Sequence, residues 1–191
     1  MLKQIFIDTE TTSAKRKTCG LWQLSGIIEC GKKKEKFDFK MDIFENSDID
    51  SKAFETNNMS LEKIATFADP TETYEKFIKL LDKYVDKYDK RDKFIAIAYG
   101  AEFDQDVLRA WFERNDDDFF GSWFFHPWIC VMNLAQYRYR NERANFKNFK
   151  LATVAEYMKT CDEKCETNLY HDAAFDVDIT YKIYKKLEAE L

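Results

Sequence analysis

"IFIDTETT", residues 5–12, sets three apolar residues directly before two carboxylates, Asp8 and Glu10. Residues 3–8 read as a strand, in which alternate side chains share a face. Phe6, Asp8 and Glu10 therefore project together, the two carboxylates ~7 Å apart along the chain. Unpaired and out of water, such groups are costly or become protonated. Something cationic must answer them, yet no Lys or Arg stands between Lys3 and Lys15. The plain alternative is a strand end that opens to solvent.

Working outward, "LWQLSGIIEC" (21–30) and "KEKFDFKMDI" (34–43) read as two more strands. The polar turn between them suggests an antiparallel meander. Residues 71–90 carry apolar side chains at 74, 77, 78, 81, 84, 85 and 88, a helical stripe behind Pro70. "KFIAIAY" (93–99) is the continuous apolar run of a central parallel strand. It leads through Gly100 into a helix over 103–114, and "WFFHPWIC" (123–130) holds a fifth strand. Helices near 130–140, 150–159 and 172–190 complete an α/β pattern. The expected architecture is a mixed five-stranded sheet with helices on both faces, in a single domain over 1–191.

The 191 residues are 45% apolar and 34% charged, ordinary for a soluble globular protein. No apolar stretch approaches a membrane span, so a cytoplasmic protein without a membrane partner is the expectation. Five scattered cysteines (Cys19, Cys30, Cys130, Cys161 and Cys165) read as reduced thiols. Cys161, Cys165 and His171 taken as zinc ligands would lack a fourth. The net charge of −5 argues against a generic basic nucleic-acid binder. It is compatible with an enzyme that holds its substrate through metal ions.

Two more acids break the rule that charge sits on the polar face. In the helix at 103–114, Phe103, Val107, Leu108 and Trp111 form the apolar stripe and Asp104 lies on it, while Asp106 points away. In the last helix Asp176 lies among Ala173, Val177, Thr180, Tyr184 and Leu187, while Asp178 lies opposite. Asp8, Glu10, Asp104 and Asp176 together form an all-oxygen set suited to Mg²⁺ or Mn²⁺ rather than zinc. His171, in "HDAAFD", stands five residues before Asp176, at the mouth of that helix where a general base would be wanted.

"FIDTETT", "YGAEFD" and "HDAAFD", in that order, resemble the three exonuclease motifs of the DEDDh 3′–5′ exonucleases. That family includes the proofreading epsilon subunit of bacterial replicative polymerase, ribonuclease T and oligoribonuclease. The resemblance runs over residues 3–188 and implies a ribonuclease-H-like fold. It also implies Asp8, Glu10, Asp104 and Asp176 as ligands of two Mg²⁺ or Mn²⁺ ions, with Asp8 bridging, and His171 as the base. Thr11 and Phe103 would lie beside the terminal nucleotide. The implied activity is release of nucleoside 5′-monophosphates from single-stranded or frayed DNA 3′ ends. RNA or oligoribonucleotide ends are the alternative substrate, and a DNA polymerase is a candidate partner. A non-catalytic nucleic-acid or polymerase-binding module would be expected to have lost a ligand or the histidine.

The chain departs from the family pattern at Tyr99-Gly100, where the family often has His-Asn, and at Ser13, where glycine is common. Both bear on substrate preference rather than on a ligand. "NMSL" (58–61) loosely resembles the loop that reaches the terminal base pair. Residues 136–150 interleave five basic residues with four aromatics. They read either as a strand-binding surface or as a solvated helix whose aromatics face the core.

Overall fold

The computed structural model describes residues 1–51, 54, 59–161 and 170–190. Strands β1 (Lys3–Thr11), β2 (Leu21–Cys30), β3 (Lys33–Lys40), β4 (Ile95–Ala98) and β5 (Ile129–Cys130) form one sheet in the order β3-β2-β1-β4-β5. The first three make the antiparallel meander, and β4 and β5 run parallel to β1. The helices described are α1 (Leu61–Ile64), α2 (Pro70–Asp82), α3 (Ala101–Arg114), α4 (Phe120–Trp123), α5 (Val131–Arg138), α6 (Leu151–Tyr157) and α7 (Ala173–Glu190).

Strand alternation divides the core into two layers. Ile5 and Ile7 of β1 pack with Leu24 and Ile28 against Phe77 of α2 and Trp111 and Phe112 of α3. Phe6 packs with Ile27 and Ile97 against Val131 of α5, Val154 of α6, and Val177, Ile183 and Leu187 of α7. Each such side chain, fully buried, contributes about 1.5–3 kcal/mol. β1 is thus anchored on both faces, and its end is held rigidly between two helical layers.

Several boundaries differ from the sequence expectation. α2 stops at Asp82 instead of continuing to residue 90. Beyond it Asp92, Asp86 and Asp89 accept the backbone amides of Asp86, Tyr88 and Arg91. Such local side-chain bonds compete with helical ones. β3 ends at Lys40, after which Met41 donates its amide to the Trp22 carbonyl and bridges Ala68. β1, by contrast, runs on to Thr11. A 3₁₀ turn over Arg140–Asn145 follows α5. Cys19, Cys30 and Cys130 are free, but Cys161 is disulfide-bonded, which corrects the reduced-thiol expectation there. An odd, scattered count does not forbid one bridge.

One feature of the sheet opens a crevice at the end of β1. β4 pairs with β1 only at Gln4, Ile5 and Phe6. From Ile7 onward β1 keeps β2 on one side and has no β4 partner on the other. Crevices at the carboxyl ends of parallel strands are where open α/β sheets take ligands.

Gly26 keeps β2 close to β1 at this point. A Cβ there would lie 2.3 Å from Phe37 Cζ and 2.5 Å from the Phe6 carbonyl oxygen. Gly26→Ala is expected to cost about 1–3 kcal/mol by overpacking. Urea unfolding measures it, and an unchanged midpoint would contradict so tight an apposition.

Candidate metal centre

Asp8 and Glu10 stand on the Phe6 face at the end of β1, and α7 lies across that face carrying Asp176. One carboxylate oxygen from each of the three lies within 4.8 Å of the other two. Glu10 and Asp176 are each 8% exposed, and Asp8 keeps partial contact with solvent. Asp104, 5% exposed in the first turn of α3, arrives from the opposite layer. Thr9, whose side chain alternates with those of Asp8 and Glu10, donates its hydroxyl to Asp104 Oδ1 at 2.7 Å. Four acids from three elements therefore gather around one strand end from both faces of the sheet.

The polar-face acids behave differently, as helical periodicity requires. Asp106 pairs with Arg16 at 3.1 Å and Asp178 with Lys36 at 2.5 Å. Among the described residues, Asp8, Asp104 and Asp176 have no Lys or Arg ion-pair partner.

The electrostatic consequence is large. Loss of water first, then Asp104, Glu10, Asp176 and Asp172, push the Asp8 carboxyl well above its usual range. Burial raises Asp104 to about 7, although the bond from Thr9 opposes it. Burial raises Asp176 to about 6, with Asp172 adding to the rise. Asp176 Oδ2 accepts the His171 amide at 3.2 Å, whereas its Oδ1 is buried with no hydrogen-bond partner. A buried carboxylate oxygen without a partner costs about 1–3 kcal/mol or more. Clustered hard oxygens, an orphaned oxygen and raised carboxyls together fit Mg²⁺ or Mn²⁺. Asp8, Glu10 and Asp176 could together hold an ion, and Asp104 stands beside them.

His171 has φ 73°, in the left-handed region. That conformation costs an ordinary residue ~1–2 kcal/mol and suits His better than most. Its amide bond to Asp176 holds it there, and Asp172 behind it caps α7 by accepting the Ala174 and Phe175 amides at 3.0 and 3.3 Å. The residue is exposed. Lost water and then Lys150 lower its pKa from 6.5, so the imidazole is neutral at neutral pH.

The remaining expected residues take distinct places. Thr11 lies just past a bulge after Glu10 and donates its hydroxyl to the Ser13 carbonyl at 2.9 Å. Phe103 lines a groove of 1160 Å³ that runs from Arg16 past Trp128 to Met132. Lys15 and Arg16 are engaged by Asp48 and by Glu102 and Asp106. The zinc alternative has no support, since Cys161 is disulfide-bonded, and Cys165 lies outside the described residues. Asn58 of "NMSL" also lies outside them. Thr9 and Asp172 were not anticipated. Strand alternation marks Thr9 as the side chain that must face α3, and Asp172 stands at a cap position.

No family model and no curated protein matches the sequence. Solved structures do match it. Exonuclease I from E. coli, in a complex with single-stranded DNA, is 18% identical with a TM-score of 0.75, the match covering 100% of this chain and 41% of that one. A 3′-exonuclease that recognises the 3′ end of the histone mRNA stem-loop is 13% identical with a TM-score of 0.71, over 98% of this chain and 82% of its own. Exonuclease X, in complex with 5′ overhanging duplex DNA, is 17% identical with a TM-score of 0.61, over 100% of this chain and 92% of its own. The fold is that of these exonucleases. The chain spans less than half the length of exonuclease I. The ribonuclease-H-like architecture expected from the sequence is thereby met. No helix among the described residues is long and apolar enough to cross a membrane.

The raised carboxyls set the sign of a pH effect. Asp104 and Asp176 bind protons in the native state up to about 7 and about 6, above their unfolded values. Native protein therefore holds more protons than unfolded protein across that window, and metal-free stability falls as pH rises through it. In EDTA at pH 8, Asp8→Asn is expected to melt above wild type, with the gap narrowing toward pH 5. Mn²⁺ at about a hundred times its dissociation constant should add about 2.7 kcal/mol, several degrees, to wild type and less to the variant. A variant that melts below wild type in EDTA yet shifts fully with Mn²⁺ would remove Asp8 from the centre.

Proposed function

We propose that this chain is a metal-dependent 3′–5′ exonuclease that releases nucleoside 5′-monophosphates from single-stranded or frayed DNA ends. The observation that carries the reading is the convergence of Asp8, Glu10 and Asp176, with the orphaned Asp176 Oδ1, beside Asp104 on an exonuclease fold. A phosphodiester is an anion, and four clustered carboxylates would repel it. Two divalent ions, were these acids to hold them, would supply the missing positive charge and lower the pKa of a nearby water.

The protein's own groups do the rest. Asp8, close to Glu10 and Asp176 and raised by burial and then most by Asp104, would contribute to holding both ions. Thr9 holds the Asp104 carboxylate beside these acids. Neutral His171 accepts the proton of the attacking water. Phe103 offers its ring along the groove to the base of the terminal nucleotide. The same chemistry on RNA ends is the second reading, favoured by the likeness to the histone mRNA 3′-exonuclease.

Incubation of 5′-labelled DNA and RNA oligomers with Mn²⁺ tests both readings on one gel. The expected product is a ladder that shortens by one nucleotide at a time, abolished by EDTA and by Asp8→Ala, Glu10→Ala, Asp104→Ala or Asp176→Ala. His171→Ala should slow cleavage about 10²–10⁴-fold while leaving Mn²⁺ affinity unchanged. Full activity in EDTA, or release from the 5′ end, would overturn the reading.

A further inference from the structure

Residues 136–150 carry charge that the reaction does not use. Their aromatics are mostly structural: Tyr139, Phe146 and Phe149 are buried in the α5–α7 layer. The cations are left outside. Arg140, Arg143 and Lys150 are exposed and line a second groove of 480 Å³ with Asn148 and Met132.

Two properties set these cations apart from an ordinary solvated face. First, among the described residues none of the three has an ion-pair partner. The nearby acid, Glu142, is taken by Arg138 and by the Tyr157 hydroxyl. Second, both guanidinium groups are already oriented. Arg140 Nη1 donates to the Tyr137 carbonyl at 2.8 Å and Arg143 Nη1 to the Phe146 carbonyl at 2.7 Å. Aromatic rings support them, Tyr137 at 4.6 Å and Phe149 at 5.6 Å. Each guanidinium keeps further donors for a ligand, with less freedom left to lose on binding.

The groove also has a direction. Met132 lines both it and the larger groove that reaches Phe103, the residue before Asp104. The two grooves adjoin at Met132 as two arms of one trough, and among the described residues the smaller arm carries three cations without ion-pair partners in a chain whose net charge is −5.

We propose that this trough binds successive phosphates of one nucleic-acid strand upstream of the nucleotide being removed, with Arg140, Arg143 and Lys150 as the phosphate contacts. The strand's direction rests on the exonuclease reading above; the binding does not. Phosphate contacts carry no sequence information, so binding should depend on length and salt rather than on base identity.

The test is a fluorescence-anisotropy titration in the Asp8→Asn background, where no strand is consumed. A labelled oligothymidylate long enough to fill the trough is compared with labelled dithymidylate. Adding Arg140→Ala and Arg143→Ala should weaken the long strand at least tenfold and leave dithymidylate unchanged. Each lost contact on a single strand should also flatten the plot of log affinity against log salt by about 0.7. Arg140→Lys with Arg143→Lys keeps the charges and should keep the slope, which separates lost contacts from misfolding. An unchanged slope, or equal weakening of both ligands, would overturn the proposal. If wild type cuts no end while the long strand still binds in this manner, the exonuclease reading fails and the trough stands.

Discussion

Asp8 is a carboxylate ringed by carboxylates, and the surrounding structure holds it in that unfavourable place. β2 pairs with it through Ser25, and the layers on either side of β1 bury Ile7 and Phe6. Neither strand nor helix can move to separate the charges without opening a core layer. Thr9 ties α3 to the same strand from behind, so Asp104 cannot withdraw either. His171 takes a left-handed backbone whose amide meets Asp176, and Asp172 adds a further negative charge to cap α7. Repulsion of this kind persists in a folded protein when a cation relieves it in use, and such stored strain gathers at functional sites.

The opening for that cation comes from topology rather than from any one side chain. β1 outlasts its parallel neighbour, since β4 pairs with it only as far as Phe6. The chain leaving β4 turns at Gly100 directly into α3, which brings Asp104 alongside in its first turn. The antiparallel meander on the other side keeps β1 straight as far as the bulge after Glu10. A strand that ended with β4 would leave Asp8 and Glu10 in a loop, where water would solvate them and no centre would form.

Much of the centre was legible in the sequence because it obeys two periods. Period two puts Asp8 and Glu10 on one face, and period 3.6 separates Asp104 from Asp106 and Asp176 from Asp178. The burial of the first of each helical pair and the surface ion pairs of the second follow that rule. What periodicity cannot supply is contact between elements. The Thr9–Asp104 bond links two residues far apart in the chain, and nothing local announces it. The end of α2 was equally hidden, because Asp86, Asp89 and Asp92 choose backbone amides over solvent. In residues 136–150 the change from α5 to a 3₁₀ turn breaks the helical period. Tyr139, Phe146 and Phe149 turn inward while Tyr137, Arg140 and Arg143 stay out, so one segment serves two different ends.

On the proposed function, the acids at the end of β1 hold divalent ions as one centre. The most direct measurement is anomalous diffraction at the manganese edge from crystals grown with Mn²⁺. The account expects a strong peak within bonding distance of Asp8, Glu10 and Asp176, with Asp176 Oδ1 among the ligands. Ordered acid side chains around a peak-free centre, or manganese bound elsewhere on the molecule alone, would contradict it.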